Sequence, residues 1–197
     1  MTDNFDKVIN WYDGAVSFVD GISSSNATPG GGAAGAVSSA TGVALAMMAC
    51  SVTIKIKTVS EDVKKDLNKR LDELLVYKET LCEAASLDAK AYESVVRAKK
   101  LPSMSKEKQT ALKEAVENSA RVPRDTAFKA LEALALIESF ESQIAAVILS
   151  DIACAKHLLK AGVCICAENI KANLPYIEEG SFKNEMEDAL KNISKFC

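Results

Sequence analysis

Two aspartates stand among neighbours that make a carboxylate conspicuous. Asp151 interrupts the run AAVILSDIACA. In such an apolar setting a carboxylate is costly unless partnered. Asp88 lies between Ala85 and Tyr92 in a long helical segment. Either carboxyl has the chemistry of a general acid or base, and Asp151 ranks first because its surroundings are the more apolar. Each has a plainer reading beside it. Ser150 or Asp151 caps a helix start, and Asp88 is a solvated helix position, the commoner fate of an aspartate. His157 is the sole histidine, but CAKHLLKAG reads as an ordinary helix face. Asn169 and Asn173 lie four apart and share a helix face. Two amides there either read the polar edge of a ligand or satisfy a neighbouring helix.

A second feature is TPGGGAAG, at the head of a stretch with no charged residue between Asp20 and Lys55. A phosphate loop needs Lys-Ser/Thr after its glycines, where this chain has Ala33 and Ala34. A dinucleotide fingerprint needs a strand before a spaced G-x-G-x-x-G, where a helix and a serine-rich turn stand instead. The stretch is long enough to span a bilayer, which takes about 20 apolar residues. Its composition of Ala, Ser, Thr and Gly suits close helix packing better. It is expected to be a central helix buried on all sides. Gly30, Gly31 and Gly32 then sit at a helix N-terminus, where free N–H groups and the dipole favour an anionic or polar ligand group. The alternative is a plain sharp turn into the helix.

The elements that must position these residues read as helix nearly throughout. Phe5, Val8, Ile9, Tyr12, Val16, Val19 and Ile22 follow amphipathic spacing, with Thr2 or Asp3 as a cap. A long helix is expected from about Glu61 to Lys100, with the stripe Val63, Leu67, Leu71, Leu74, Leu81, Ala85, Tyr92 and Val95. A short helix follows and ends before Pro123; another begins near Phe128. Helix then continues through SQIAAVILSDIACAKHLLKAGVCICAENIKANL, and Ser181 caps a last helix. VTIKIKTV alternates like a strand, but no partner strand is visible, so it is read as a helix end. The fold class is all-α: a single domain over 1–197, a bundle of long antiparallel helices around the Ala/Ser/Gly-rich one.

The 197 residues carry net charge −3 and 6% aromatics, which argues against nucleic-acid binding. The six cysteines are read as reduced thiols of a cytoplasmic protein, and Cys164/Cys166 as opposite-facing core positions rather than a zinc pair.

FVDGISSSNATPGGGAAGAVSSATGVALAMMACSVT resembles the opening of the formiminotetrahydrofolate cyclodeaminase family. LDAKAYESVVRAKKLP, ENSARVP and SDIACAKHLLKAGVCICAENIKANLPYI are similar to its later segments, in the same order. Ala27 and Ala33 replace a proline and a serine of the family pattern, and Ala145 lies near the place of an asparagine. The resemblance implies an all-α enzyme that releases ammonia from 5-formiminotetrahydrofolate to give 5,10-methenyltetrahydrofolate. Methenyltetrahydrofolate cyclohydrolase activity, or a non-catalytic folate-binding or scaffolding bundle, are the alternatives. It makes Asp151 and Asp88 the expected catalytic pair. Thr28, Pro29, Gly30, Gly31, Gly32, Asn169 and Asn173 become the expected folate contacts, and Lys55 and Lys99 the candidates for its glutamate tail. No metal, no cofactor beyond the tetrahydrofolate substrate, no nucleic acid and no membrane are expected. A helix of about 60 Å is long for a compact monomer of radius of gyration near 16 Å, so a homodimer is expected.

Overall fold

The computed structural model describes residues 11–103 and 105–197. The expected cap at Thr2 or Asp3 and the stripe through Phe5, Val8 and Ile9 lie outside the described residues. Among the described residues six α-helices follow one another: α1 (Trp11–Ser23), α2 (Gly31–Ile54), α3 (Glu61–Lys99), α4 (Lys106–Phe140), α5 (Leu149–Asn173) and α6 (Ser181–Ile193). Short 3-10 turns lie between α4 and α5 and flank α6. No strand forms among the described residues.

The helices start where local chemistry allows. Ser60 caps α3 by accepting from the Val63 N–H, and Ser105 caps α4 by accepting from Lys108. Ser181, expected as a cap, is instead the first residue of α6. The preceding position is Gly180, at φ 155, a backbone conformation that favours glycine. Leu67, Leu74 and Leu81 of α3 repeat every seventh residue and are fully buried against the bundle.

α2 lies antiparallel on α5, and missing side chains set their distance. A Cβ on Gly162 would come within 2.0 Å of Ser39 Oγ and 2.6 Å of the Gly35 carbonyl. One on Gly42 would come within 2.7 Å of the Ala155 carbonyl. Ser38 Oγ donates to the Leu158 carbonyl across the same seam at 3.0 Å. α2 has the length and hydropathy of a membrane span, yet it packs inside this bundle. It is not covered all round as expected: Thr41 and Ala44 are exposed, and Ala34, Leu45 and Met48 are half-buried.

Two breaks differ from the sequence reading. Pro123 ends no helix; it is buried inside a continuous α4. In the other direction, the helix expected to run on from Phe128 breaks after Phe140. There Ile144 turns into the core, and the Ala145 N–H donates to Thr53 Oγ1 at 3.1 Å. The reduced state expected of every cysteine fails at one pair, because Cys164 and Cys197 form a disulfide. It ties the C-terminus to α5. Cys50, Cys82, Cys154 and Cys166 are free.

Candidate active site

Asp88 continues the buried leucine stripe of α3. Seven residues beyond Leu81, it occupies a core-facing position and points at the start of α2. Its Oδ2 accepts the Ala33 N–H at 3.0 Å. Burial raises its pKa above the usual carboxylate value, and the Ala33 hydrogen bond offsets part of that rise.

The glycine triplet makes this approach possible. A Cβ on Gly32 would fall 1.9 Å from Asp88 Oδ1 and 2.4 Å from Cγ. A Cβ on Gly31 would lie 3.2 Å from Asn169 Nδ2. The anion at the N-terminus of α2 is thus the chain's own Asp88, held where the dipole and a free N–H favour negative charge. Desolvation is the larger of the two effects, so the net shift is upward.

Above this floor opens a cavity of about 610 Å³. Asp88, Tyr92, Val95 and Lys99 of α3 form one wall, and Leu112, Lys113, Val116 and Ser119 of α4 another. Asn169 and Asn173 of α5 form a third, with Tyr176 and Glu178 just beyond them. Ala27, Thr28, Gly30 and Gly31 close the remaining side. Lys113 pairs with Glu178 at 3.0 Å across the opening, both side chains exposed. The Lys99 ammonium has no partner among the described residues. Cys166 is no nucleophile: burial first, and then the charge of Asp88, push its thiol up to about 12.

The structure therefore gathers Thr28, Gly30, Gly31, Asp88, Lys99, Asn169 and Asn173 around one space. Gly32 supports Asp88 from below. Pro29 follows a cis peptide bond and packs toward Gly21 rather than lining the cavity. Two expected residues are elsewhere. Asp151 sits in the first turn of α5 with Ser150 Oγ 3.5 Å away. Eighteen residues separate it from Asn169, about 27 Å along the helix. Its neighbours Leu149, Ser150, Ala153 and Cys154 are exposed, so the apolar letters around it do not amount to burial. An acidic residue in a first turn suits the dipole, which is its plainer reading. Lys55 caps the far end of α2, about 38 Å from Gly30 at helical rise. It cannot share a ligand with Lys99 of the same chain. Tyr176 and Lys113 were missed. The former follows Pro175 in a turn, and the latter carries no pattern distinguishing it from other lysines.

Fold and site together define an all-helical protein with a desolvated carboxylate at the base of a ligand-sized cavity. The chain belongs to the formiminotransferase-cyclodeaminase family, whose model matches residues 15–192. It is 30% identical over 181 residues to a methenyltetrahydrofolate cyclohydrolase of Methylorubrum extorquens, covering 90% of this chain and 86% of that one. Its fold is similar to the crystal structure of formiminotetrahydrofolate cyclodeaminase from Thermotoga maritima. That match has a TM-score of 0.80 and 27% identity, covering 91% of this chain and 87% of the other.

Proposed function

We propose that this protein is a folate-dependent one-carbon enzyme that closes 5-formiminotetrahydrofolate to 5,10-methenyltetrahydrofolate with release of ammonia. The observation that carries the assignment of chemistry is Asp88, a carboxyl desolvated at the floor of the cavity yet hydrogen-bonded to a helix N-terminus. Ring closure forms a bond from N10 to the formimino carbon. The bond from that carbon to its terminal nitrogen then breaks, and this nitrogen must leave protonated. One group able to take the N10 proton and hand it to the departing nitrogen serves both steps, and a carboxyl of raised pKa is suited to that exchange at neutral pH. No cofactor besides the substrate enters this scheme.

The relative in Methylorubrum extorquens favours a second reading, cyclohydrolase activity. Here water adds to the methenyl carbon, the N5–carbon bond opens, and 10-formyltetrahydrofolate results. Asp88 would take one proton from water and return it to N5, and the other leaves the carbinol oxygen to solvent as the formyl C=O forms. Thr28, Gly30, Gly31, Asn169 and Asn173 are the proposed ring contacts. Lys99, at the end of the α3 wall, is the proposed partner of the glutamate carboxylates.

Purified protein separates the readings. Ammonia released from 5-formiminotetrahydrofolate supports the first, and decay of methenyl absorbance supports the second. Folate binding with neither leaves a non-catalytic folate-binding bundle. Asp88→Asn should lower turnover about 10²–10⁴-fold with little change in binding. Full turnover in that variant refutes the assignment.

We further propose a homodimer. The uncovered face of α2 exposes the small residues Gly31, Thr41 and Ala44 beside half-buried Leu45 and Met48. Tyr12 and Val19 of α1 are also exposed. A second copy packed on α2 would cover this face next to the site. A monomeric mass at micromolar concentration refutes it.

A further inference from the structure

Pro123 and Asn173 are linked through one carbonyl. An interior helical proline has no N–H for the carbonyl four residues back, and its ring crowds that oxygen out of line. In α4 the oxygen concerned is that of Ser119, and it accepts from Asn173 Nδ2 at 2.9 Å. The second hydrogen of the same amide goes to the Asn169 carbonyl at 3.0 Å. Asn169 is held in like manner, its Nδ2 donating to the Ile165 carbonyl at 2.9 Å.

A carbonyl accepts only from nitrogen here, so these bonds fix which end of each amide faces the protein. Both Oδ1 atoms lack a donor among the described residues. Neither is sealed in the interior, and both side chains line the cavity. Beside them is Asp88, whose Oδ1 has no hydrogen-bond partner among the described residues. The two amide oxygens on this wall are therefore unpaired acceptors, and a ligand edge set against them must supply donors.

We propose that Asn169 and Asn173 form an acceptor pair that selects the donor edge of a 2-aminopyrimidinone ring, its amino group and adjacent ring N–H. Pro123 is the positioning residue of the pair, because it frees the Ser119 carbonyl that locks Asn173. This rests on the folate reading above and adds an orientation to it: the amino edge lies at α5, the glutamate tail toward Lys99. A ligand with a carbonyl in place of the amino group would set oxygen against oxygen and leave acceptors unpaired.

The test measures the affinities of folic acid and of its 2-deamino-2-oxo counterpart by competition titration. Wild-type protein should prefer folic acid by about 5–150-fold, the range expected for one buried hydrogen bond lost without replacement. Asn173→Ala should bring that ratio to within about threefold of unity. Pro123→Ala restores the backbone bond within α4, so it should raise Tm while lowering the ratio. A purely structural proline would raise Tm and leave the ratio alone, which overturns the positioning role. Equal affinities in wild-type protein overturn the acceptor pair while leaving the folate reading intact. Binding of neither compound overturns both.

Discussion

Gly32→Ala is the sharpest probe of the site, because the clash it creates is confined to one carboxylate. The new methyl would lie 1.9 Å from Asp88 Oδ1, whereas ordinary contact begins at 3.4 Å, so the carboxylate must retreat by about 1.5 Å. Rotation about χ2 alone does not help, since Cγ itself would be 2.4 Å away. The side chain must leave its χ1 well, and the 3.0 Å bond from the Ala33 N–H is lost. Leaving a buried donor unpaired costs roughly 1–3 kcal/mol. At about 2–4 °C per kcal/mol for a chain of this size, Tm should fall by about 2–12 °C. Misplacing a reacting group by an ångström or more costs about 10²-fold in turnover. Thermal melts and turnover on folded protein read the two effects separately. In the double variant Gly32→Ala/Asp88→Ala the clash is gone but the Ala33 N–H stays unpaired, so the stability loss should persist. The double variant should recover no activity. Wild-type Tm and turnover in Gly32→Ala would refute the placement of Asp88 against α2.

Other consequences are open to measurement. The folded pKa of Asp88 lies above its unfolded value, so its stabilising contribution is full below the usual carboxylate range and is lost as pH rises through the folded value. Asp88→Asn stays neutral, so its Tm relative to wild type should climb as pH rises above the usual carboxylate value of about 4; a flat difference refutes the raised pKa. Gly162→Ala sets a Cβ 2.0 Å from Ser39 Oγ, and prying α5 off α2 should cost about 1–3 kcal/mol and weaken folate binding as Asn169 shifts from Gly31. Unfolded without reductant, the chain should titrate as the four free cysteines Cys50, Cys82, Cys154 and Cys166. All six reacting would restore the picture of six reduced thiols. Opening the Cys164–Cys197 loop, which spans 33 residues, removes up to roughly 3–4 kcal/mol in the chain-entropy account and should lower Tm.

Most of the helices could be read from the letters because their signals are local. The apolar stripe of α3 and the amphipathic spacing of α1 act within a few residues of chain. The glycine triplet and the two asparagines were likewise visible as candidates. Asp88 was ranked second although its register gave it away: it stands seven beyond Leu81 and seven before Val95, on the stripe that packs inward. Asp151 misled because apolar neighbours in sequence are not neighbours in space; the first turn of α5 is largely open to solvent. Where a break depended on tertiary partners, the local signal pointed the wrong way. Pro123 stays inside α4 because Asn173, fifty residues later, takes the carbonyl the proline cannot satisfy. The chain between Phe140 and Leu149 leaves the helix with no proline or glycine to announce it, because Ile144 gains burial and Ala145 finds Thr53. Sequence determined the helices, the small-residue seam of α2 and the stock of polar groups. Only the packed bundle decided which of those groups meet, since a helix fixes its own hydrogen bonds but not the face its neighbours present to it.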